Sequence, residues 1–249
     1  MKSAICMIPL LLAGIWPATA ALADDIRVAV ASNFAPLLET LAPAFKQQSG
    51  HRLVLSPGAS GRLYTQIVAG APFDVFLAAD DERPRLLVES DKAVSDSVFP
   101  YAIGKLVLWS ATLDLSREAG ATLKAGNFRH LAIASPTLAP FGAAAREVLE
   151  RMQIWESLQP KLVTGENIAQ TLQFIDSGNA ELGFIAEAQW LELPAERQGQ
   201  PWHIPTDLHS PIVQEGVLLR DTPATRALLA FLQSDATRTL IGQAGYDLP

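Results

Sequence analysis

The sequence predicts an α/β fold built on a parallel sheet, and two observations predict it. Short apolar strands alternate with segments of helical periodicity along most of the chain, and several strands end directly on a small polar residue that opens the next helix. Sheets wound this way bind ligands outside the carboxyl ends of their strands. A chain of 249 residues, 49% of them hydrophobic, is long enough for one large or two small domains with real cores.

The first residues, MKSAICMIPLLLAGIWPATAALA, carry one basic residue, an apolar core around Ile8–Ile15 and small residues in Ala-x-Ala spacing. That is the pattern of a secretory signal peptide over residues 1–23, with cleavage expected after Ala23. Pro9, Gly14 and Pro17 interrupt the apolar run, which is short for a bilayer span. Cys6, the single cysteine, leaves with this segment, so the mature protein has no thiolate for metal or disulfide chemistry. No later segment is long and apolar enough to cross a membrane, and we expect a soluble, exported product.

Ile26–Ala31 is β-branched at alternate positions and reads as the first strand. Ser32 follows as expected N-cap, and Phe34, Leu37, Leu38, Leu41 and Phe45 recur at helical spacing until Gly50. Pro36 falls in the first turn, where a missing N–H matters least, whereas Pro43 should kink or divide the helix. Leu53–Leu55 is the second strand, and the stretch that follows it, GASGRLYTQIVAGAPFDVFLAAD, organises the rest. Gly58 and Gly61 flank Ser60, so the backbone there can approach another group closely. Leu63, Ile67 and Val68 mark a helix stopped by Gly70 and Pro72, and Asp74–Ala79 is a third strand. Ser60 reads either as a plain helix cap or, beside the free N–H groups of a new helix, as the seat of an anion. In a parallel sheet Ser32 and Ser60 share one edge, which favours the anion.

Further on, Lys105–Trp109 and His130–Ala134 are strands separated by a loop or short helix over Ala121–Arg129. The loop Thr137–Gly142 opens a helix over Ala143–Met152. Pro160–Val163 reads as a strand, Asn167 as the N-cap of a helix over Ile168–Ser177, and Leu182–Ala186 as a buried strand. Gln198–Asp207 is a loop, Val213–Leu219 a strand, and Ala224–Leu232 and Thr237–Ala244 closing helices.

If the helix starts at Ser32, Ser60, Phe141 and Ile168 converge, each contributes roughly half a positive charge. Charge-assisted hydrogen bonds contribute about 1.5–3 kcal/mol each, so five or six exceed the roughly 8 kcal/mol of micromolar binding even after desolvation. A site made only of donors accepts a fully deprotonated oxyanion and disfavours a protonated phosphate, whose hydrogen needs an acceptor.

Other chemistries fit less well. A net charge of −7 with scattered Lys and Arg excludes a nucleic-acid footprint. Gly58-Ala59-Ser60-Gly61-Arg62 approaches the hydrolase pattern G-x-S-x-G, with Asp207 and His209 as imaginable partners, but Arg62 stands in place of the final glycine. The four histidines lack metal spacing, Asp80-Asp81 reads as a strand-exit turn, and no Lys-Ser/Thr follows the glycine loop as a nucleotide site requires. The tryptophans are scattered as core and rim residues are, and Arg62 and Lys105 read as solvated. No enzyme activity, cofactor or bare metal ion is expected.

With these residues assembled, the chain resembles the periplasmic molybdate-binding proteins of bacterial ABC importers. The likeness runs from about Ile26 to the C-terminus and is carried by VAVASNFAPLLETLAPAF, GASGRLYTQIVAGAPFDVFLAAD, ASPTLAPFGAAAREVLE and GENIAQTL…ELGFIA. It implies a two-lobed periplasmic-binding-protein fold of type II, with residues 24–104 and 210–249 in one lobe, 105–209 in the other and the ligand in the interlobe cleft. It implies Ser32, Ser60 and the neighbouring donor Asn33 from one lobe, and the backbone at Phe141 and Ile168 from the other, as the groups holding a molybdate or tungstate dianion. It also implies a monomer that delivers its ligand to a membrane permease, with sulfate or thiosulfate as the alternative cargo and a secreted serine hydrolase as a distant alternative. The family's ligand-contacting tyrosine is missing from both matching places, which carry Phe141 and Ala186. Thr137 or a water then substitutes as donor, or the affinity and oxyanion preference differ.

Overall fold

The computed structural model of the chain describes residues 24–115 and 118–249, so the expected signal peptide lies outside the described residues. Strand β1 (Asp25–Ala31) leads through a tight turn to α1 (Ala35–Ser49), then β2 (Arg52–Gly58), α2 (Ser60–Val68), β3 (Val75–Leu77), α3 (Glu82–Glu89) and β4 (Phe99–Gly104). β1 lies between β2 and β3, parallel to both. Its alternation explains why. Ile26, Val28 and Val30 pack with Leu38, Leu41 and Phe45 of α1, while Ala29 faces the opposite layer with Leu63 and Ile67 of α2.

Only Lys105 separates β4 from β5 (Leu106–Trp109), which begins a second sheet. There follow α4 (Ala119–Ala125), β6 (Leu131–Ala134), α5 (Pro140–Arg151), α6 (Trp155–Leu158), a 3-10 turn at Gln159–Lys161, β7 (Leu162–Gly165), α7 (Ile168–Asp176), β8 (Leu182–Ala186), α8 (Glu187–Leu191), α9 (Ala195–Gln198) and β9 (Trp202–His203). The chain then returns to the first sheet as β10 (Ile212–Leu218) and ends in α10 (Pro223–Gln233) and α11 (Asp235–Gln243). The strand orders are β2-β1-β3-β10-β4 and β7-β6-β8-β5-β9.

The sheets are therefore mixed, which corrects the purely parallel expectation. β10 runs antiparallel to β3 and β4, and β5 runs antiparallel to β8 and β9. The reversed strands are the first ones after each passage between the lobes. A chain that leaves one sheet at its carboxyl edge and enters the other at the facing edge has to run backwards through it.

Local differences have local causes. Ser32 does not cap α1: the cap position is Phe34, without a side-chain hydrogen bond, because Phe34 first closes a turn by donating its N–H to the Ala31 carbonyl. Pro36 lies in the first turn as expected, and the helix runs unbroken through Pro43 to Gly50, whose φ of 78° is the left-handed stop. Ser60 is no cap either, since it is the first residue of α2 and Ala59 precedes it. Asn167 is a true N-cap, accepting the Gln170 N–H at 3.0 Å. β4, α3 and α8 lie in segments with no strong sequence pattern, β9 falls inside the expected loop, and the expected strand at Pro160 begins two residues later, after the 3-10 turn. Trp109 is fully buried, and its Nε1 shares the Gln198 carbonyl with Trp190. No helix among the described residues is long and apolar enough to cross a membrane.

Candidate functional site

The carboxyl ends of β1, β2 and β3 meet the N-termini of α5 and α7 across the gap between the sheets. Ala31, Ala59 and Ala79, from the ends of those three strands, pack in one apolar cluster with Phe141 and Ile168 of the second lobe. Small side chains at the strand ends let the lobes approach closely. Polar contacts join the lobes: the Gly61 N–H donates to the Leu138 carbonyl at 2.8 Å, Arg83 Nη2 to the Thr137 carbonyl at 3.2 Å, Arg62 pairs with Glu166, Ser210 donates its N–H to Glu147 at 2.7 Å, and Lys105 pairs with Asp247. A Cβ at Gly61 would stand 3.1 Å from the Leu138 backbone, so glycine there serves close approach, as the sequence suggested. Arg62 is thus an interlobe partner rather than a purely solvated residue, and Lys105 lies between Glu187 and Asp247.

Between the lobes lies a small pocket of about 10 Å³, and Ser32, Asn33, Ser60, Phe141 and Ile168 all line it. Each is at least nine-tenths buried. No Lys, Arg, His, Asp or Glu lines it among the described residues. Ser60 Oγ accepts the Ala79 N–H at 2.9 Å, which leaves its own proton free to donate. The Ser32 hydroxyl makes no hydrogen bond with the described residues, whereas its N–H donates to the Gly58 carbonyl at 3.0 Å. The N–H groups of Ser60, Phe141 and Ile168 stand in first helical turns, where the helix itself offers no acceptor. The arrangement is a ring of neutral donors backed by three helix N-termini, suited to an anion of small size.

Asn33 takes part differently from its sequence reading. Its Nδ2 donates to Gln214 Oε1 at 3.0 Å and to Tyr246 Oη at 3.3 Å, so both amide hydrogens are committed. What remains for a ligand is its backbone N–H. Its carbonyl accepts the Tyr246 hydroxyl at 2.8 Å. Tyr101 Oη completes the cluster, 2.8 Å from the Ala78 carbonyl and 3.1 Å from Gln214 Oε1. Burial pushes both phenols well above their usual range, with the neighbouring Tyr246 adding to it at Tyr101, so both stay protonated. On the other lobe Gln189 Nε2 donates to the Ile168 carbonyl at 3.1 Å, and its Oε1 accepts the Ala186 N–H at 3.0 Å.

Gln189, Gln214, Tyr101 and Tyr246 were missed by sequence reasoning. The one available signal was an amide inside an apolar run, as in Ile212-Val213-Gln214. Thr137 is not in this pocket; it lines a larger neighbouring cavity of about 360 Å³ and faces Ser135 Oγ at 3.2 Å. The hydrolase alternative finds no support in the geometry, because Ser60 Oγ is turned to Ala79 while His209 Nδ1 is 2.7 Å from the Ser210 carbonyl. Asp80 holds the backbone and guanidinium of Arg83 in the expected strand-exit turn. Among the described residues no group of three His, Cys, Asp or Glu side chains could hold a metal ion.

Residues 26–247 match the model of a family described as bacterial extracellular solute-binding protein. The chain belongs to that family. Within it, the chain is 44% identical over 234 residues to the molybdate-binding protein ModA of Azotobacter vinelandii, covering 93% of each chain, and 43% identical to ModA of Rhodobacter capsulatus, covering 91% of this chain and 89% of the other. The solved structure of the Azotobacter vinelandii periplasmic molybdate-binding protein superimposes with a TM-score of 0.84 at 38% identity, covering 90% of this chain and 99% of that one. The two-lobed α/β architecture expected of the family is the one observed, and as a solute-binding protein the chain is a transport receptor and not an enzyme.

Proposed function

We propose that this solute-binding protein captures molybdate or tungstate and delivers it to the permease of an ABC importer. The observation that carries the reading is the charge-neutral pocket: hydroxyls of Ser32 and Ser60 and the N–H groups of Asn33, Ser60, Phe141 and Ile168 surround a space that no ionisable side chain enters. A tetrahedral dianion without protons satisfies such donors and leaves none facing another hydrogen. The relatives named for molybdate support the choice of cargo. Residues 24–104 and 210–249 form the first moving body and 105–209 the second, with the hinge at Lys105 and near Ser210. Closure is stabilised only by contacts that the open form lacks. The mature protein acts in the periplasm as a monomer after losing residues 1–23.

Thermal unfolding with added oxyanions tests the reading. Molybdate at 100 times its dissociation constant stabilises the native state by about 2.7 kcal/mol, so a clear rise in Tm is expected with molybdate or tungstate and little with phosphate. A protein whose Tm ignores both metal oxyanions, or rises most with sulfate, carries another cargo.

A further inference from the structure

Gln214 is fully buried, and its Nε2 is the one buried side-chain nitrogen or oxygen among the described residues without a hydrogen-bond partner. Its Oε1, by contrast, meets both Asn33 Nδ2 and Tyr101 Oη. The β10–β4 register shifts between Gln214 and Glu215, a bulge of the kind that re-aims a side chain within a sheet. Gln214 is thereby directed to the end of β4, where the chain crosses to the second lobe. A Cβ at Gly104 would stand 2.9 Å from Gln214 Nε2 and 2.7 Å from Phe141 Cζ, so the amide and the ring flank one point. The amide belongs to the first sheet and the ring to the second lobe.

We propose that Gln214 is a positioning residue for the anion site that also registers closure: Oε1 fixes Asn33 against the pocket, and Nε2 loses its hydrogen-bond partner when Phe141 closes over it. With the lobes apart, water reaches Nε2. With the lobes together, the phenyl ring replaces that water and offers no comparable acceptor. The closed state therefore carries an unanswered donor beside the residue that shapes the anion site, and the affinity is lower than the pocket's donors alone would give. A hydroxyl on the ring's para carbon would answer it, in the space Gly104 leaves open.

The inference rests on the oxyanion reading for its ligand, and a double-mutant cycle on residues 141 and 214 tests it, read by molybdate titration and by melting of the unliganded protein. Gln214→Met frees Asn33 and is expected to weaken molybdate binding at least tenfold while the circular dichroism spectrum is kept. Phe141→Tyr is expected to tighten binding at least threefold through slower release, and to gain nothing when combined with Gln214→Met. The same non-additivity is expected in the unliganded melts, since the new hydrogen bond joins the lobes without an anion. A wild type that binds no oxyanion while the melts stay non-additive removes the molybdate reading and keeps the role of Gln214. Equal gains from Phe141→Tyr in both backgrounds, or parental affinity in Gln214→Met, overturn the proposal. Should Gln214→Met not fold, the crystal structure of Phe141→Tyr decides: its new hydroxyl lies within about 3.2 Å of Gln214 Nε2, or the proposal is wrong.

Discussion

Ser60 shows how one hydroxyl does two jobs. Its oxygen accepts the Ala79 N–H at the end of the neighbouring strand segment, and its proton is left for the pocket. Ser60→Ala should therefore cost stability as well as affinity. Leaving the Ala79 N–H without an acceptor costs about 1–3 kcal/mol, which a denaturant titration resolves, and calorimetry should show at least a tenfold loss of molybdate affinity. Ser60→Leu should abolish binding outright by filling the pocket; retained affinity would place the site elsewhere. At this scale the sequence was legible in part. Glycine-flanked Ser60 does line the pocket between the lobes, and the alternative offered for it, a helix cap, is not its role. Asn33 could be named, though not the fact that its amide is spent on Gln214 and Tyr246, partners 181 and 213 residues away. No local pattern encodes a hydrogen bond of that span.

Elements deliver the donors to the pocket, and their seating is tight. A Cβ at Gly142 would come within 2.3 Å of the Ala134 carbonyl at the end of β6, so the first turn of α5 sits directly on the strand. Gly142→Ala must push α5 away. A loss of roughly 1–3 kcal/mol of unfolding free energy is expected, and with it a displaced Phe141 N–H and weaker binding, since overpacking shifts backbone. A second tie lies at the far end of the same sheet. Glu181 accepts the backbone N–H of His130 at 2.9 Å and pairs with Arg129, and that guanidinium, against the opposing effect of burial and with help from backbone N–H groups, draws its carboxyl down to about 2. A carboxyl lowered on folding stabilises the native state above its unfolded value near 4.5 and loses that contribution as pH falls from there towards 2. Acid unfolding of Glu181→Gln should accordingly be flatter over that window than that of the parent. An identical acid profile would mean that the pairing contributes nothing. Strands β1, β2, β3, β5, β6, β8 and β10 were readable because each contains an apolar run bounded by turn residues. β4 was not, since Pro100 sits inside it; the strand tolerates proline because it lies at the end of the sheet order, with β10 as its one neighbouring strand and a single bridge from Ile103 to Asp247 on the other side.

The whole molecule is held shut by few polar contacts. Arg62 and Glu166, both partly exposed, bridge the lobes beside the Gly61–Leu138 hydrogen bond. Exposed ion pairs are weak and salt-screened, so Arg62→Ala should speed ligand release only a few-fold, and the difference from the parent should shrink as ionic strength rises. Stopped-flow release at two salt concentrations measures this; a salt-independent effect would assign Arg62 a packing role instead. The mixed sense of both sheets was not legible, because which strand follows an interlobe passage is a property of the chain path and not of any window of residues.

That path has a consequence for assembly. Every strand of the second sheet comes from the unbroken stretch between Leu106 and His203, whereas the first sheet has β10, from Ile212–Leu218, wedged between β3 and β4. A polypeptide emerging N-terminus first therefore holds two bare strand margins apart until nearly its last forty residues are out, and its earliest-made half is the last to be completed. Under the export proposed above, such lateness is useful: premature locking of that half has to wait for the tail.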